Sequence, residues 1–155
     1  YLDRYAPTIG QFRRVMMRRV RKAGGGEAGI ALLEAEVQRR IRNGELDDRR
    51  YAVSWVEHLH RRGLSAAAIR NKLAGKGVGR EDIAAAFEEV LSGQEEPELE
   101  AALSYARRRR LGVFRTSGQT DERWRKDLAA MVRAGHGYGV SQRALRGDTG
   151  LEDDG

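Results

Sequence analysis

Apolar side chains recur at three- and four-residue intervals along almost the whole of this chain, a rhythm that fits a helical fold and little else. Phe12, Val15, Met16 and Val20 share one helical face, and Ile30, Leu33, Val37 and Ile41 share the next. Ile83, Phe87, Val90 and Leu91, then Leu99, Ala102, Leu103 and Ala106, then Trp124, Leu128, Met131 and Val132 repeat the pattern. β-branched residues are scattered, and the one short strand-like pair, Val113-Phe114, lies between Gly112 and Gly118. The sequence predicts an all-α protein.

Glycine and polar breaks group the helices. Gly24-Gly25-Gly26 separates two of them, Arg42-Asn43-Gly44 ends the second, and Arg62-Gly63 and Lys76-Gly77 each close another. Ser92 to Pro97 makes a polar break whose proline suits a first helical turn, and Gly112 to Thr120 reads as an exposed loop. Set in register, the segments form a weak internal repeat of roughly 45 to 55 residues, each copy a three-helix piece whose small core its neighbour completes. The expected division is a first unit over 1–43, a second over 44–93, a third over 94–147 with the loop 112–120, and an acidic, disordered tail over 148–155. About three such units would stack into an elongated, curved array. Only Tyr1 to Tyr5 remain for the first helix of the first unit, and no Met precedes them, so an N-terminal truncation is expected.

Composition narrows the chemistry. Cysteine is absent, which removes disulfides, thiolate nucleophiles and thiolate metal sites. No apolar run approaches the roughly 20 residues that span a bilayer, so a cytoplasmic protein without a membrane association is the default. His58 and His60, two apart on a helix, point about 200° from one another and cannot share an ion. His136 is solitary, and no metal or other cofactor is expected. Gly24-Gly25-Gly26 follows a helix and lacks the spacing of a phosphate loop. Ser65, Ser104, Ser117 and Ser141 have no elbow motif and no base, so no catalytic residue is assigned and the chain is not expected to be an enzyme. Tyr51, Trp55, Phe87 and Trp124 lie in apolar stripes and read as core before they read as base-stacking platforms.

The stretch Gly44-Glu45-Leu46-Asp47-Asp48-Arg49-Arg50-Tyr51-Ala52 places two carboxylates just ahead of a helix carrying Tyr51, Trp55 and Leu59. Adjacent carboxylates there cap free N–H groups and oppose the helix dipole; acid–base catalysis would need two that converge from different elements. This run, followed by Arg62-Gly63, by Ile69-Arg70-Asn71-Lys72-Leu73 and by Lys76-Gly77-Val78, resembles the signature of the RecX family of bacterial recombination regulators. Asp47, Asp48, Arg50, Tyr51, Gly63 and Gly77 carry the structural part of the motif. The likeness is strongest over the middle unit, with collinear support from Tyr1 through Arg19 and from Leu128 through Leu145. His136, Gly137 and Gly139 depart from the pattern of the third repeat. The resemblance implies tandem three-helix repeats and a non-enzymatic modulator, monomeric when free, that lodges in the groove of the RecA filament on single-stranded DNA. It further implies inhibition of RecA's ATPase and strand exchange, and a place in DNA repair and the SOS response.

Charge points the same way. The chain holds 29 Lys and Arg, 25 of them Arg, against 23 Asp and Glu, a net +6. Helical stepping sets Arg14, Arg18 and Arg21 opposite the Phe12/Val15/Met16/Val20 stripe, with Arg19 beside it. Arg108 points away from the Leu99/Leu103/Ala106 face and Arg107 and Arg109 flank it, while Arg70, Lys72 and Lys76 avoid the Ile69/Leu73 line. With Arg62, these residues form the expected face for RecA and DNA. The alternative is a stand-alone nucleic-acid module of helix-turn-helix type, for which helix, turn and helix around Gly77 are compatible but no base-reading helix is evident.

Overall fold

The computed structural model describes residues 6–150, which form eight α-helices and one short 3-10 helix, with no strand among them. The helices are α1 Ile9–Lys22, α2 Gly26–Arg42, α3 Asp48–Arg61, α4 Ala66–Gly75, α5 Arg80–Leu91, α6 Pro97–Arg109, α7 Asp121–Arg133 and α8 Tyr138–Arg146. The all-α expectation holds. The short first helix expected over Tyr1 to Tyr5 and the last five residues of the expected tail lie outside the described residues.

Two compact units divide the chain, one made of Tyr1–Trp55 with Lys72–Val90 and the other of Val56–Asn71 with Leu91–Gly155. The first buries Leu33, Val37, Leu46, Ala52, Leu73 and Phe87. Its α1 begins with a capping box: Thr8 accepts from the N–H of Gln11 at 3.1 Å, and the Gln11 side chain accepts from the N–H of Thr8 at 3.1 Å. Thr8 is fully buried because its hydroxyl also donates to the carbonyl of Lys76 at 2.6 Å, tying the start of α1 to the end of α4. A cap of this kind is worth roughly 1 kcal/mol. Further along, Val20 packs against Gly25 and Gly29, where the missing side chains let α1 and α2 approach. Arg13 pairs with Glu34 at 3.0 Å across the same hairpin.

The second unit is built on the cluster Leu99, Ala102, Leu103, Ala106, Met131 and Leu145, with Trp124, Leu128 and Val140 packed against it. Ala101, Ala102 and Ala106, all buried on α6, leave room for neighbouring helices to lie close. Pro97 starts α6 at its first turn, and Arg110 ends it in the left-handed conformation with φ 54°. The 112–120 connection differs in part from the expected exposed loop. Residues 116–120 are exposed, but Gly112–Phe114 is a 3-10 helix and Gly112 is buried.

The reason is Asp127, only 2% exposed in the middle of α7's apolar stripe. Its Oδ2 accepts from the N–H of Gly112 and from Arg115 Nε, both at 2.8 Å, while Arg115 Nη2 bonds Oδ1. A buried carboxylate is thereby satisfied by a fork and a backbone N–H, and the start of the connection is clamped. At the end of α8, Asp148 accepts from Arg143 Nε at 2.8 Å, and the Arg143 guanidinium also pairs with Glu96 at 2.6 Å.

His136 is 5% exposed, at a tilt to the Tyr105 ring with centroids 5.2 Å apart. Burial pushes its pKa down; a hydrogen bond to the backbone of Gly63 and the charge of Glu98 oppose this without reversing it. His60 is also held below its ordinary value by burial, against the pull of Gln94 and Glu100. A base whose folded pKa is depressed leaves the unfolded chain to take the proton first, so stability is full above about pH 6.5 and falls as pH drops below it. The melting temperature should therefore fall between pH 7.5 and 5.5, and His136→Phe should shrink that fall while His60 keeps part of it. An identical pH dependence in the variant would remove His136 from the explanation.

Candidate binding surface

The paired carboxylates at the head of α3 do two separate jobs. Asp47 is the cap: its Oδ1 accepts from the N–H of Arg50 at 3.0 Å. Asp48, buried at the first position of α3, turns away from its own helix and accepts from the N–H of Ile9 at 2.8 Å, so it serves the open end of α1. Burial raises the Asp48 pKa, the Ile9 bond lowers it, and the neighbouring Asp82 and Asp47 charges raise it further. Spacing alone showed a carboxylate at a helix start; which helix it caps depends on a residue 39 positions away.

Arg50 donates from Nη2 to the carbonyl of Gly44 at 3.0 Å, closing the turn that precedes α3. Tyr51 stacks on Trp55 with centroids 5.7 Å apart, and Lys76 Nζ stands 5.7 Å from the Trp55 ring. These rings form one wall of a half-open cavity of about 270 Å³ that Pro7, Asp47, Arg50 and Ser54 also line. Among the described residues, no three His, Asp or Glu gather closely enough to hold a metal ion, and no helix is long and apolar enough to cross a membrane.

The basic residues fall into distinct surroundings. Arg14, Arg18 and Arg21 stand exposed on α1 and, with Arg19 and Lys22, make no ion pair among the described residues. In the same unit, Lys72 is exposed and Lys76 is half-buried over Trp55. In the other unit, Arg108 Nη1 donates to the carbonyl of Arg62 at 3.1 Å, joining two of the expected residues. Arg107 lies 5.2 Å from the Phe114 ring and Arg109 5.7 Å from Tyr105. Arg62 and Arg70 are exposed. Aromatic contacts of this sort leave the charge available at about 0.5–1 kcal/mol of attraction in exposed places.

Charge is distributed far more unevenly than any single helix reveals. Residues 9–42, the α1–α2 hairpin, carry nine Lys and Arg against three Glu, a net +6 that equals the net charge of the whole chain. The other 121 residues carry 20 basic and 20 acidic side chains. Ion pairs leave that excess unchanged: Arg39 and Arg40 engage Glu36 and hold its carboxyl down to about 2, and Arg13 engages Glu34.

The fold and this surface define an all-helical protein of the three-helix-repeat class. Residues 47–86 match the family model described as RecX, second three-helix domain. The chain is 40% identical over 151 residues to Regulatory protein RecX of Myxococcus xanthus (strain DK1622), an alignment that covers 94% of this chain and 80% of that one. It is 33% identical over 100 residues to Regulatory protein RecX of Agrobacterium fabrum (strain C58), covering 64% of this chain and 51% of that one. The chain belongs to the RecX family. No solved structure gives a significant match.

Proposed function

We propose that this protein is a non-enzymatic regulator that binds the RecA filament on single-stranded DNA, in the bacterial cytoplasm, and slows its ATP hydrolysis and strand exchange. The observation that carries the reading is a family likeness spanning 94% of the chain, joined to a hairpin that concentrates the net positive charge. A filament of protein on DNA is a polyanion with a groove, and a +6 element is drawn to it at a rate that falls with added salt. The division into units over 1–43, 44–93 and 94–147 is part of the same proposal, each unit presenting its own set of basic side chains. Arg14, Arg18, Arg21, Arg62, Arg70, Lys72, Lys76, Arg107, Arg108 and Arg109 are the proposed contacts with RecA or with the DNA inside the filament.

Charge reversal at Arg14, Arg18 and Arg21 should weaken binding to preformed filaments at least tenfold and leave helicity by circular dichroism unchanged. These three side chains are exposed and support no described ion pair, so their loss should not unfold α1. Equal filament binding by the reversed protein would remove the α1 face from the proposal. Tight, sequence-dependent binding to duplex DNA without RecA would instead favour a stand-alone nucleic-acid module.

A further inference from the structure

We infer that the turn between α7 and α8 is a proton-sensitive latch: uptake of a proton by His136 frees α8 from its unit while the rest of the chain stays folded. The geometry of the turn carries this. α7 stops at Gly135, whose φ of +95° turns the chain back so that its N–H donates to the carbonyl of Val132 at 2.9 Å and the N–H of His136 to that of Met131 at 3.1 Å. A helix closed by this pair of bonds is commonly locked by an apolar side chain at the second residue past its cap, packed on the last turn. α3, α4 and α6 end on the same longer bond, and the residues in that place are Leu64, Val78 and Leu111. After α2 the residue is Glu45, which is exposed and keeps its charge in water. At the end of α7 the same place holds a titratable side chain and buries it, His136 being 5% exposed.

The surroundings of the ring suit its neutral form. Tyr105 of α6 lies against it, the backbone of Gly63 bonds it, and its Nε2 has no hydrogen-bond partner, so a proton added there would be a buried charge without an acceptor. The charged groups on α6 are Glu98, whose pull burial outweighs, and Arg109, 5.7 Å from the Tyr105 ring. From the start of α4, Ser65 donates to the carbonyl of Ala134 at 3.1 Å and adds no charge. Once the turn opens, the imidazole stands in water at its ordinary value, so opening takes up a proton and is favoured as pH falls below about 6.5. α8 is short, nine residues, and Gly137 at its head offers no side-chain cap. At its far end Arg143 pairs with Glu96 and Asp148 and holds both below their ordinary values, so those pairs stay ionised across the same range. His60, also held low by burial, bonds Gln94 at 3.2 Å and acts on a different junction, between α3 and the start of α6.

Amide hydrogen exchange of the full chain at pH 7.5 and 5.5, each rate divided by its intrinsic value at that pH, reads the latch. Protection of the α8 amides from Ser141 to Arg146 should fall about tenfold between the two, the change expected when an open imidazole protonates near pH 6.5 and a closed one does not. Protection around the buried Leu33 and Val37 of α2 should stay as it is. His136→Leu restores the kind of residue found after α3, α4 and α6, and His136→Gln keeps a polar side chain that takes no proton. Both should abolish the fall in α8, and either suffices if the other folds poorly. Equal protection of α8 at the two pH values in the unaltered protein would overturn the inference. So would a fall of the same size in a folded variant, or a loss shared equally by α2 and α8, which would mean that the whole chain opens together.

Discussion

Gly63→Ala should cost about 2–5 kcal/mol of unfolding free energy, the sum of a left-handed backbone forced on a residue with a Cβ and of an overlap that cannot relax. Gly63 follows α3 with φ +86°, its N–H donating to the carbonyl of His60 at 2.8 Å. A Cβ there would stand 2.8 Å from both the carbonyl oxygen of Ala101 and the Cα of Tyr105, and closer still to the backbone nitrogen of Tyr105. All three atoms belong to the backbone of α6, so no side-chain rotation makes space. Gly77 provides the comparison: its φ is +85°, yet its nearest neighbour is the Cα of Gly10 at 3.4 Å, an ordinary contact. Gly77→Ala should therefore cost only the conformational part, about 1–2 kcal/mol. Urea unfolding of both variants measures the difference. Equal losses would mean that α6 can move away and that the close approach at Gly63 has no energetic weight.

Asp127→Ala should rank next, at about 2–4 kcal/mol, because it orphans the N–H of buried Gly112 and leaves Arg115 without its acceptor. Arg115→Ala removes only one of the partners that justify burying the carboxylate, so its loss should be comparable but not larger. The pH dependence follows from the direction of the Asp127 shift. Burial alone would raise its pKa; the bonds from Arg115 and Gly112, with the Arg115 charge, outweigh burial and hold it below the ordinary value. For an acid with a depressed folded pKa, the stabilisation is present above the unfolded value near 3.8 and disappears as pH falls through the folded value. Acid titration of the unaltered protein should thus show a loss below about pH 4 that is smaller in Asp127→Ala, where Glu36, Glu96 and Asp148 keep the rest, and distinct from the loss beginning near pH 6.5 that belongs to the histidines. Overlapping acid branches in the two proteins would contradict the clamp.

Much of this architecture could be read before any coordinates. The stripes of Phe12 to Val20 and of Leu99 to Ala106 set helices where they occur, and the glycines at 63 and 77 mark real helix ends. Thr8-x-x-Gln11 ahead of Phe12 is a capping box that the sequence displays openly. Asp127 is similar: a carboxylate three residues after Trp124 and four before Met131 sits on the apolar face, and a charge there implies a buried partner. Its identity, Arg115, could not be read, because it is brought by a 3-10 turn that residue spacing reads as open loop.

The basic residues show the same boundary. Periodicity places Arg107 and Arg109 beside the α6 stripe, but the rings they lie against, Phe114 and Tyr105, and the Arg62 carbonyl that holds Arg108 depend on tertiary packing. The concentration of net charge in residues 9–42 needs no structure at all. It emerges only when the count is taken by helix pair, since total composition averages a strongly cationic hairpin with 121 residues of balanced charge.

The proposed restraint of RecA by this RecX-family chain, exerted through its basic surface, is read most directly by the rate of ATP hydrolysis by RecA on single-stranded DNA. Titrating the full chain into preformed filaments should lower the rate to a plateau at or below one chain per protomer, and the protein reversed at Arg14, Arg18 and Arg21 should need at least tenfold more. A rate that stays constant across the titration, with the protein folded and the filament intact, would contradict the account.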